Sequence, residues 1–267
     1  MRPVWRKARA LMGVWVSHMT VYRAEIIIWM LSGMIPLIMM AVWIGKANAA
    51  GGEVGGFSPQ AFAAYFLAAW LSAQLTVAWV AWELDHQVRE GKLSPKLLRP
   101  IDPIWENAAA HVAEKVVRLP FILAILLIGT LLVPGTVLTP GPLHVLAFAL
   151  SIALAFAIRF LIAYCIGILT FWLNQATALD EFYWILSIFL SGNFAPLSFF
   201  PPVVRDIAAL TPFPYVVYYP VRVLTGAADA GEIGRTLLAQ SAWVLGLAAL
   251  RLLLWRRGLL RYGAAGA

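Results

Sequence analysis

Charged residues are scarce in this chain. Asp, Glu, Lys and Arg make up 12% of its 267 residues, against about 25% in soluble domains. Cysteine is nearly absent as well, since Cys165 stands alone inside an apolar run. One cysteine excludes an intrachain disulfide and a metal site built from cysteines. The shortage of charge excludes an ordinary soluble domain and indicates an integral membrane protein.

Motifs for catalysis, metal binding and nucleotide binding are missing too. No pair of the four histidines has the spacing of a metal site on a helix, and Ser191 does not stand in a glycine elbow. Gly51 and Gly56 have the spacing of a phosphate-binding loop, but Phe57 occupies the position that lysine must fill. We therefore expect no catalytic residues, no metal and no cofactor bound by this chain.

Hydrophobic residues, in contrast, make up 62% of the chain. A membrane-spanning helix needs about 20 mostly apolar residues to cross a hydrocarbon core of about 30 Å. Six runs are apolar enough, so we predict a single all-α integral membrane domain over residues 1–267. The predicted spans are Ile26–Gly45, Phe57–Trp82, Leu119–Val133 with an inner extension from Val116, a span within Leu143–Leu173, Phe182–Phe200 and Thr236–Trp255.

The basic residues are distributed unevenly along this pattern. Fifteen of the 20 lysine and arginine residues fall on one side of the predicted membrane, which the positive-inside rule assigns to the cytoplasm. Both termini and the loop 83–118 are therefore expected to be cytoplasmic. The net charge of +7 then fits attraction to anionic membrane lipids, and we expect no nucleic-acid partner. The fifteen are Arg2, Arg6, Lys7, Arg9, Arg23, Arg89, Lys92, Lys96, Arg99, Lys115, Arg118, Arg251, Arg256, Arg257 and Arg261.

Residues 1–25 have the pattern of an amphipathic helix. Apolar residues recur every three or four positions, which is the period of one helical face, and Arg6, Lys7 and Arg9 lie off that face. We expect this helix to lie in the inner interfacial plane of the membrane. The alternative is a soluble helix packed on the cytoplasmic loop. The apolar positions are Val4, Trp5, Ala8, Leu11, Met12, Trp15, Val16 and Met19.

The polar segment 83–118 differs from an ordinary loop between helices. It is too long for a turn, and we expect it to be too charged to be buried. Gly91 is placed to end the preceding helix, and Ser94-Pro95 and Arg99-Pro100 are placed to form rigid turns. Another helix is expected over 103–118. This order of helix, hook and helix predicts a grip for a soluble partner, and a plain positive-inside loop is the alternative.

A stretch rich in proline and aromatic residues, 201–222, precedes the last span. Pro201 and Pro202 are expected to stop the fifth helix, because proline lacks the N–H that a helix interior requires. After Pro212, aromatic residues that include Tyr215 favour the membrane boundary. We predict a re-entrant or interfacial hairpin at the outer surface. An ordinary loop with a lipid-anchoring aromatic belt is the alternative.

Two polar residues stand inside predicted spans. Arg159 lies deep in the fourth span, where an arginine costs about 2.5–3.5 kcal/mol on insertion scales. It either lines a pathway or subunit interface and meets an anionic group of the substrate, or it forms a structural pair or snorkels to the boundary. Asn193 in the fifth span either lines a cavity or bonds across helices. Ala163 and Gly167 have the spacing that lets another helix approach closely.

The segment Gly91-Lys-Leu-Ser-Pro-Lys-Leu-Leu-Arg-Pro100 resembles the Gly-x-Leu…Leu-Leu-x-Pro signature that follows the second span of ABC-2 type permeases. These permeases are the membrane subunits of ATP-binding cassette exporters. The resemblance extends over nearly the whole chain, because the amphipathic N-terminal helix, the six spans and the outer hairpin follow in the same order. It is to the branch of small permeases without a fused ATPase.

The resemblance implies a half-transporter in a bacterial inner membrane. Two permeases, identical or paralogous, would form the pathway, and separate ATPase subunits would hold ATP and magnesium and dock on the cytoplasmic side. The cargo is left open, and the apolar character of the chain favours a hydrophobic or amphipathic molecule. The coupling residues that the resemblance implies are Glu90, Gly91, Lys92, Leu93, Leu97, Leu98, Arg99 and Pro100.

Two other classes of function compete with this one. A self-contained secondary carrier or channel normally needs several ionisable groups inside the membrane, and Arg159 is the one evident candidate. An integral membrane enzyme acting on lipid needs catalytic side chains clustered at one depth, and the sequence contains no such set. A neighbouring reading frame that encodes a soluble ATPase would favour the permease over both.

Overall fold

The structure is a computed structural model that describes residues 4–21, 28–31, 33–139, 141–173 and 176–262, with side chains from Met12 onward. This part of the chain is helical and contains no β-strand, so the all-α prediction is confirmed for it. The predicted places of Arg2, Arg23 and residues 174–175, and of the side chains before Met12, lie outside the described residues. The described α-helices are α1 Val4–Val21, α2 Ile35–Ala49, α3 Pro59–Thr76, α4 Val80–Arg89, α5 Ser94–Leu97, α6 Pro103–Leu132, α7 Pro142–Ile168, α8 Thr177–Leu190, α9 Pro202–Ala209, α10 Tyr218–Leu224 and α11 Ala230–Leu259.

Five helical segments in the described residues are long and apolar enough to cross a membrane. They correspond to the first, second, third, fourth and sixth predicted spans. Each of the last four has 30 or 31 residues, which is longer than a bilayer core requires. The five are Ile28–Ala49, Pro59–Arg89, Pro103–Leu132, Pro142–Phe171 and Ala230–Leu259.

The helix predicted over 182–200 is wrong at its C-terminal end. α8 stops at Leu190, and its 14 residues rise only about 21 Å. Gly192 follows with φ +92°, a left-handed conformation that ends the helix well before Pro201. The sixth crossing of the membrane therefore stays a prediction.

The second span contains a break. α3 ends at Thr76 and α4 begins at Val80, so residues 77–79 interrupt one long segment, Pro59–Arg89. Backbone groups released by such a break need other partners, because an unpaired buried N–H or carbonyl group is unfavourable. The partners come from α6, as described below.

The predicted helix 103–118 and the third span form one continuous helix, α6. Asp102 caps its N-terminus, because a carboxylate oxygen accepts the N–H of Ile104 at 3.0 Å. Pro120 lies inside the helix, where it lacks the N–H that would bond the carbonyl of Val116. The polar half of α6 and the third span nevertheless form one helix.

α7 occupies the centre of the packing. It contacts α11, α3, α4 and α10, and one large buried cluster joins Phe62 of α3, Ile158 of α7 and Val221 of α10. The sequence of α7 is mostly apolar around its circumference, which is typical of a helix surrounded by others or by lipid. α3, α4, α8, α10 and α11 are positioned against this helix.

Gly167 lets α4 approach α7 closely. A Cβ atom at this position would lie 3.0 Å from Cβ of Leu84 and 3.1 Å from Cα of Ala81, closer than such atoms normally pack. Ala163, one turn earlier, is also buried. The close approach predicted from the Ala163 and Gly167 spacing is confirmed, and the approaching helix belongs to the same chain.

α1 packs along α6. Met19 contacts the apolar cluster that contains Ile122 and Leu126. The predicted N-terminal helix is confirmed over Val4–Val21. Its position at the membrane interface stays a prediction.

Residues 201–222 form helices and turns that partly enter the bundle. Pro202 is at the start of α9, where a missing N–H has no consequence. Val216 and Val217 are fully buried, and the N–H of Tyr218 donates to the carbonyl of Ser191 at 2.9 Å. The predicted hairpin therefore packs against the end of α8, and its depth in a membrane stays a prediction.

Candidate functional site

The hook, residues 91–100, reverses the chain between α4 and α6. Gly91 has φ +69°, the left-handed conformation that glycine adopts after a helix. A single helical turn, α5, follows at Ser94–Leu97. The glycine stop and the compact turn are thus both present where the sequence predicts them.

Two leucines hold the hook on the bundle. Leu93 is fully buried in the same apolar cluster as Leu84 of α4 and Tyr164 of α7, and Leu97 packs against that cluster. Burial of a leucine side chain stabilises by about 1.5–3 kcal/mol. The hook is therefore fixed to α4 and α7 and is not a free loop.

Other side chains of the hook face away from the bundle. Leu98 is 88% exposed, and Trp105 in the first turn of α6 is 67% exposed. Arg99 donates a hydrogen bond to Glu106 at 3.0 Å, which holds it beside that turn. Exposed apolar side chains rimmed by charge are typical of an interaction surface. We call this surface the hook face, and it comprises Leu98, Arg99, Pro100, Ile101 and Trp105.

The junction of hook and α6 is tied to the last helix. Arg251 of α11 donates to the two carboxylate oxygens of Asp102 at 2.5 and 2.8 Å. The guanidinium also lies over the rings of Tyr164 and Trp255, at 5.1 and 5.0 Å from their centroids. Bidentate charged pairs of this kind are among the strongest hydrogen bonds in proteins, so this contact ties the junction to α11.

A second tie joins α4 to the connection between α7 and α8. The buried carboxylate of Asp85 accepts hydrogen bonds from the hydroxyl of Thr170 at 2.8 Å and the N–H of Ala176 at 3.3 Å. It also pairs with Arg89 at 3.1 Å. These bonds satisfy the buried carboxylate and connect the helix before the hook to the start of α8.

Charged groups next to Gly91 lie in solvent. Lys92 Nζ is 2.5 Å from the carboxylate of Glu90, and this hydrogen bond lowers the pKa of Glu90 below its ordinary value. His86 lies 3.2 Å from the same carboxylate. Exposed ion pairs contribute little to stability. The effect of His86, Glu90 and Lys92 is therefore mainly on the surface charge next to Gly91.

Side chains of α6 bond two of the backbone groups that the break at 77–79 releases. Lys115 donates to the carbonyl of Val77 at 2.6 Å, and His111 Nε2 accepts the N–H of Trp79 at 3.0 Å. His111 Nδ1 donates to the carbonyl of Asn107 at 2.9 Å. With one ring nitrogen accepting and the other donating, His111 is the neutral tautomer.

The expectation that segment 83–118 is too charged to be buried is wrong for four residues. Asp85, Glu114, Lys115 and Arg118 are all buried. Each has a charged or backbone partner, and such partners offset much of the penalty for burying a charge. Two of these contacts, Asp85 with Arg89 and Glu114 with Arg118, join residues four positions apart on one helix, whereas Lys115 reaches Val77 at the break in the second span.

A cavity of about 70 Å³ with several polar side chains on its wall lies beside the break. It brings together Arg159 of α7 and Asn193 after α8, which the sequence singled out separately. The volume holds several water molecules or one small polar group. Its polar lining residues are Gln74, Arg118, Arg159, Ser187 and Asn193.

The two arginines of this cavity differ in their partners. Arg118 donates to Gln74 Oε1 at 3.0 Å and to Glu114. Arg159 is only 7% exposed and forms no hydrogen bond or ion pair with any residue that the structure describes. The sequence left open whether Arg159 lines a pathway or forms a structural pair. No described residue supports the structural pair.

A larger cavity of about 400 Å³ lies at the end of the bundle away from the hook. Tyr65, Tyr218 and Arg222 line it. Arg222 pairs with Glu232 through two hydrogen bonds of 2.5 and 2.7 Å, so its charge is balanced. Among the predicted hairpin residues, Pro201 and Pro202 are exposed, and Pro212 and Tyr215 are half-buried.

Three residues that shape the site escaped sequence reasoning. His111 and Lys115 read as ordinary members of a polar helix, and Arg251 read as a residue near the end of a span. Their partners are 32 to 149 positions away along the chain. In the described ranges no group of three or more His, Cys, Asp or Glu side chains could hold a metal ion.

The long apolar helices define a membrane protein that crosses the bilayer several times. The chain belongs to the ABC-2 family of transporter proteins, because the model of that family, described as ABC-2 family transporter protein, matches residues 34–266. Membership makes it a permease component of an ABC transporter. Neither the curated proteins nor the solved structures contain a match.

Proposed function

We propose that the chain is the permease subunit of an ATP-binding cassette exporter and that a separate ATPase docks on the hook face. The division of the hook carries this proposal: Leu93 is buried, whereas Leu98 is 88% exposed. A soluble partner meets the exposed side, and the buried side passes its movement to the bundle. The family match supports the role, since permeases of this family work with such ATPases.

In this proposal, coupling follows the fixed contacts of the hook. The pair of Asp102 and Arg251 carries a displacement of the hook to α11. The bonds of Asp85 carry it to the start of α8. Packed and hydrogen-bonded contacts transmit displacement because protein interiors have low compressibility. The residues assigned to coupling are Glu90, Gly91, Lys92, Leu93, Leu97, Leu98, Arg99 and Pro100.

Two copies, identical or paralogous, form the pathway in a bacterial inner membrane with both termini cytoplasmic. ATP and magnesium belong to the ATPase, and this chain binds neither. The cargo is hydrophobic or amphipathic, which the 62% hydrophobic composition supports. Arg159 and Asn193 lie on the pathway. The outer hairpin acts as a gate or guide through Pro201, Pro202, Pro212 and Tyr215.

Co-purification tests the docking surface. The double substitution Leu98→Ser with Trp105→Ser removes the apolar part of the hook face and leaves the buried anchors in place. The matched control is Leu210→Ser, at an 81% exposed leucine after α9. We expect the tagged double variant to lose the ATPase at unchanged yield and the control to retain it. Equal retention by both variants contradicts docking on the hook face.

A self-contained secondary carrier is the second candidate, and one observation favours it. Beside Arg159, the structure buries Glu114, Lys115 and Arg118, more ionisable groups than the sequence indicated, and carriers use such groups for ion coupling. Proteoliposomes loaded with an amphipathic dye discriminate the two. Transport by the chain alone, driven by an ion gradient, supports the carrier. Transport that needs the ATPase and ATP supports the permease.

A further inference from the structure

The cavity beside the helix break has one arginine on its wall whose charge has no close counter-ion. Arg118 and Arg159 line the cavity, and Glu114 is paired with Arg118. Arg159 is therefore the charge that an anion in the cavity would meet.

Arg159 is the donor that lacks a partner. The residue is only 7% exposed, and it forms no hydrogen bond or ion pair with a described residue. Asp180 in the first turn of α8 interacts with it electrostatically, but no ion pair within 4 Å joins them. A buried unpaired guanidinium is unfavourable by several kcal/mol. An anionic ligand in the cavity would remove that penalty.

Two further polar groups on the wall lack partners. Arg118 Nε and Asn193 Oδ1 are buried without a hydrogen bond. Asn193 Nδ2 faces the hydroxyl of Ser191 at 3.1 Å, and the two ends of an amide are interchangeable by a flip. After that flip, Asn193 Oδ1 accepts from Ser191 and the NH₂ group takes the place of the unpartnered oxygen. Arg118, Arg159 and Asn193 all line the same small space, and Arg159 is the arginine among them without a partner in the described residues.

We propose that this cavity binds the anionic group, phosphate or carboxylate, of an amphipathic molecule. The 70 Å³ volume admits a group of this size. Three tryptophans, Trp29, Trp79 and Trp184, also line the cavity and offer the amphipathic surface that suits the boundary between a headgroup and its tail. The inference rests on the proposed function in one respect: it takes the ligand to be the cargo or a lipid that lies in the transport pathway.

Binding to the purified protein in a neutral detergent tests the inference without the ATPase. The probes are dihexanoyl phosphatidic acid, dihexanoyl phosphatidylcholine and inorganic phosphate, read by thermal shift and native mass spectrometry. We expect phosphatidic acid to bind and phosphatidylcholine not to bind. Arg159→Gln should weaken binding at least about tenfold, since it removes a charge-assisted hydrogen bond. The exposed Arg205→Gln is the control and should bind like the wild type.

Each outcome decides. Binding of phosphatidic acid alone identifies a lipid headgroup, and equal binding of inorganic phosphate identifies a free anion, both with the proposed chemistry. Equal binding of phosphatidylcholine, or unchanged affinity in Arg159→Gln, overturns the inference. If Arg159→Gln does not fold, Asn193→Asp replaces it, because a built-in carboxylate should stabilise the protein without ligand and abolish the phosphatidic acid shift. An unchanged shift in Asn193→Asp overturns the inference as well.

Discussion

Arg251 and Asp102 are 149 residues apart in the chain and form two hydrogen bonds of 2.5 and 2.8 Å. The arginine is almost fully buried, and the Asp102 side chain is about one-third exposed. Asp102 also caps α6, so one carboxylate fixes both the start of that helix and its contact with α11. The pair makes the end of the hook part of the membrane bundle.

Replacing only one residue of this pair should lower the stability of the protein more than replacing both. Asp102→Ala leaves Arg251 buried without its partner, which we expect to destabilise by about 3 kcal/mol. The double variant Asp102→Ala with Arg251→Met, which lacks the cap of α6 in the same way, should recover part of that loss, because no unpaired charge remains. Thermal unfolding in detergent measures both. Arg256→Met, at an exposed neighbour, is the control, and a double variant no more stable than Asp102→Ala contradicts the role of the pair.

Lys115→Met tests the break in the second span. The substitution removes the donor to the carbonyl of Val77 and leaves an unsatisfied backbone group, which is unfavourable by about 1–3 kcal/mol. We expect reduced ATP-dependent transport with the ATPase still bound, because the hook face is unchanged. Lys46→Met, at an exposed lysine, should transport normally. Normal transport by Lys115→Met would show that transport does not depend on the hydrogen bond from Lys115 to Val77.

Gly167→Ala tests the close approach of α4 and α7. The added methyl group meets Leu84 and Ala81 at 3.0–3.2 Å, and such overpacking destabilises by about 1–3 kcal/mol. Gly246→Ala in α11 is the matched control, since nothing lies within 4 Å of its Cβ position. At a helix position with free space around it, replacing glycine by alanine should raise the free energy of unfolding by about 0.5–1 kcal/mol. Equal melting temperatures for the two variants contradict this packing.

Cysteine labelling tests the orientation. On a Cys165→Ser background, Arg99→Cys places a thiol on the hook face, and Glu53→Cys and Arg205→Cys place exposed thiols near the opposite end. A membrane-impermeant maleimide added to intact cells should label positions 53 and 205 and reach position 99 only after permeabilisation. Labelling of position 99 in intact cells contradicts a cytoplasmic hook.

Local patterns in the sequence predicted the parts of the fold that depend on local physics. Gly91 ends α4 because glycine adopts φ +69° without strain, and the long apolar runs became α2, α3, α6, α7 and α11. The end of α8 was missed because Gly192 was read as part of an apolar span. A lone glycine does not reveal from sequence whether it breaks a helix.

The candidate site could be predicted only in part. Arg159 and Asn193 were identified one at a time, because a polar residue within an apolar run can be recognised from the sequence alone. That both line one cavity with Arg118 depends on how α6, α7 and α8 pack, which no local pattern contains. The same limit hid the bonds from His111 and Lys115 to the break at 77–79.

Photo-crosslinking from the hook face tests the central claim most directly. A photoreactive phenylalanine analogue replaces Leu98, and a second preparation carries it at Leu210, where the side chain is similarly exposed. We predict that irradiation of intact cells joins position 98, and not position 210, to a protein that mass spectrometry identifies as an ATP-binding cassette ATPase. Efficient crosslinking from position 98 to lipid or other proteins, with no such ATPase among the adducts, would contradict a permease driven through its hook.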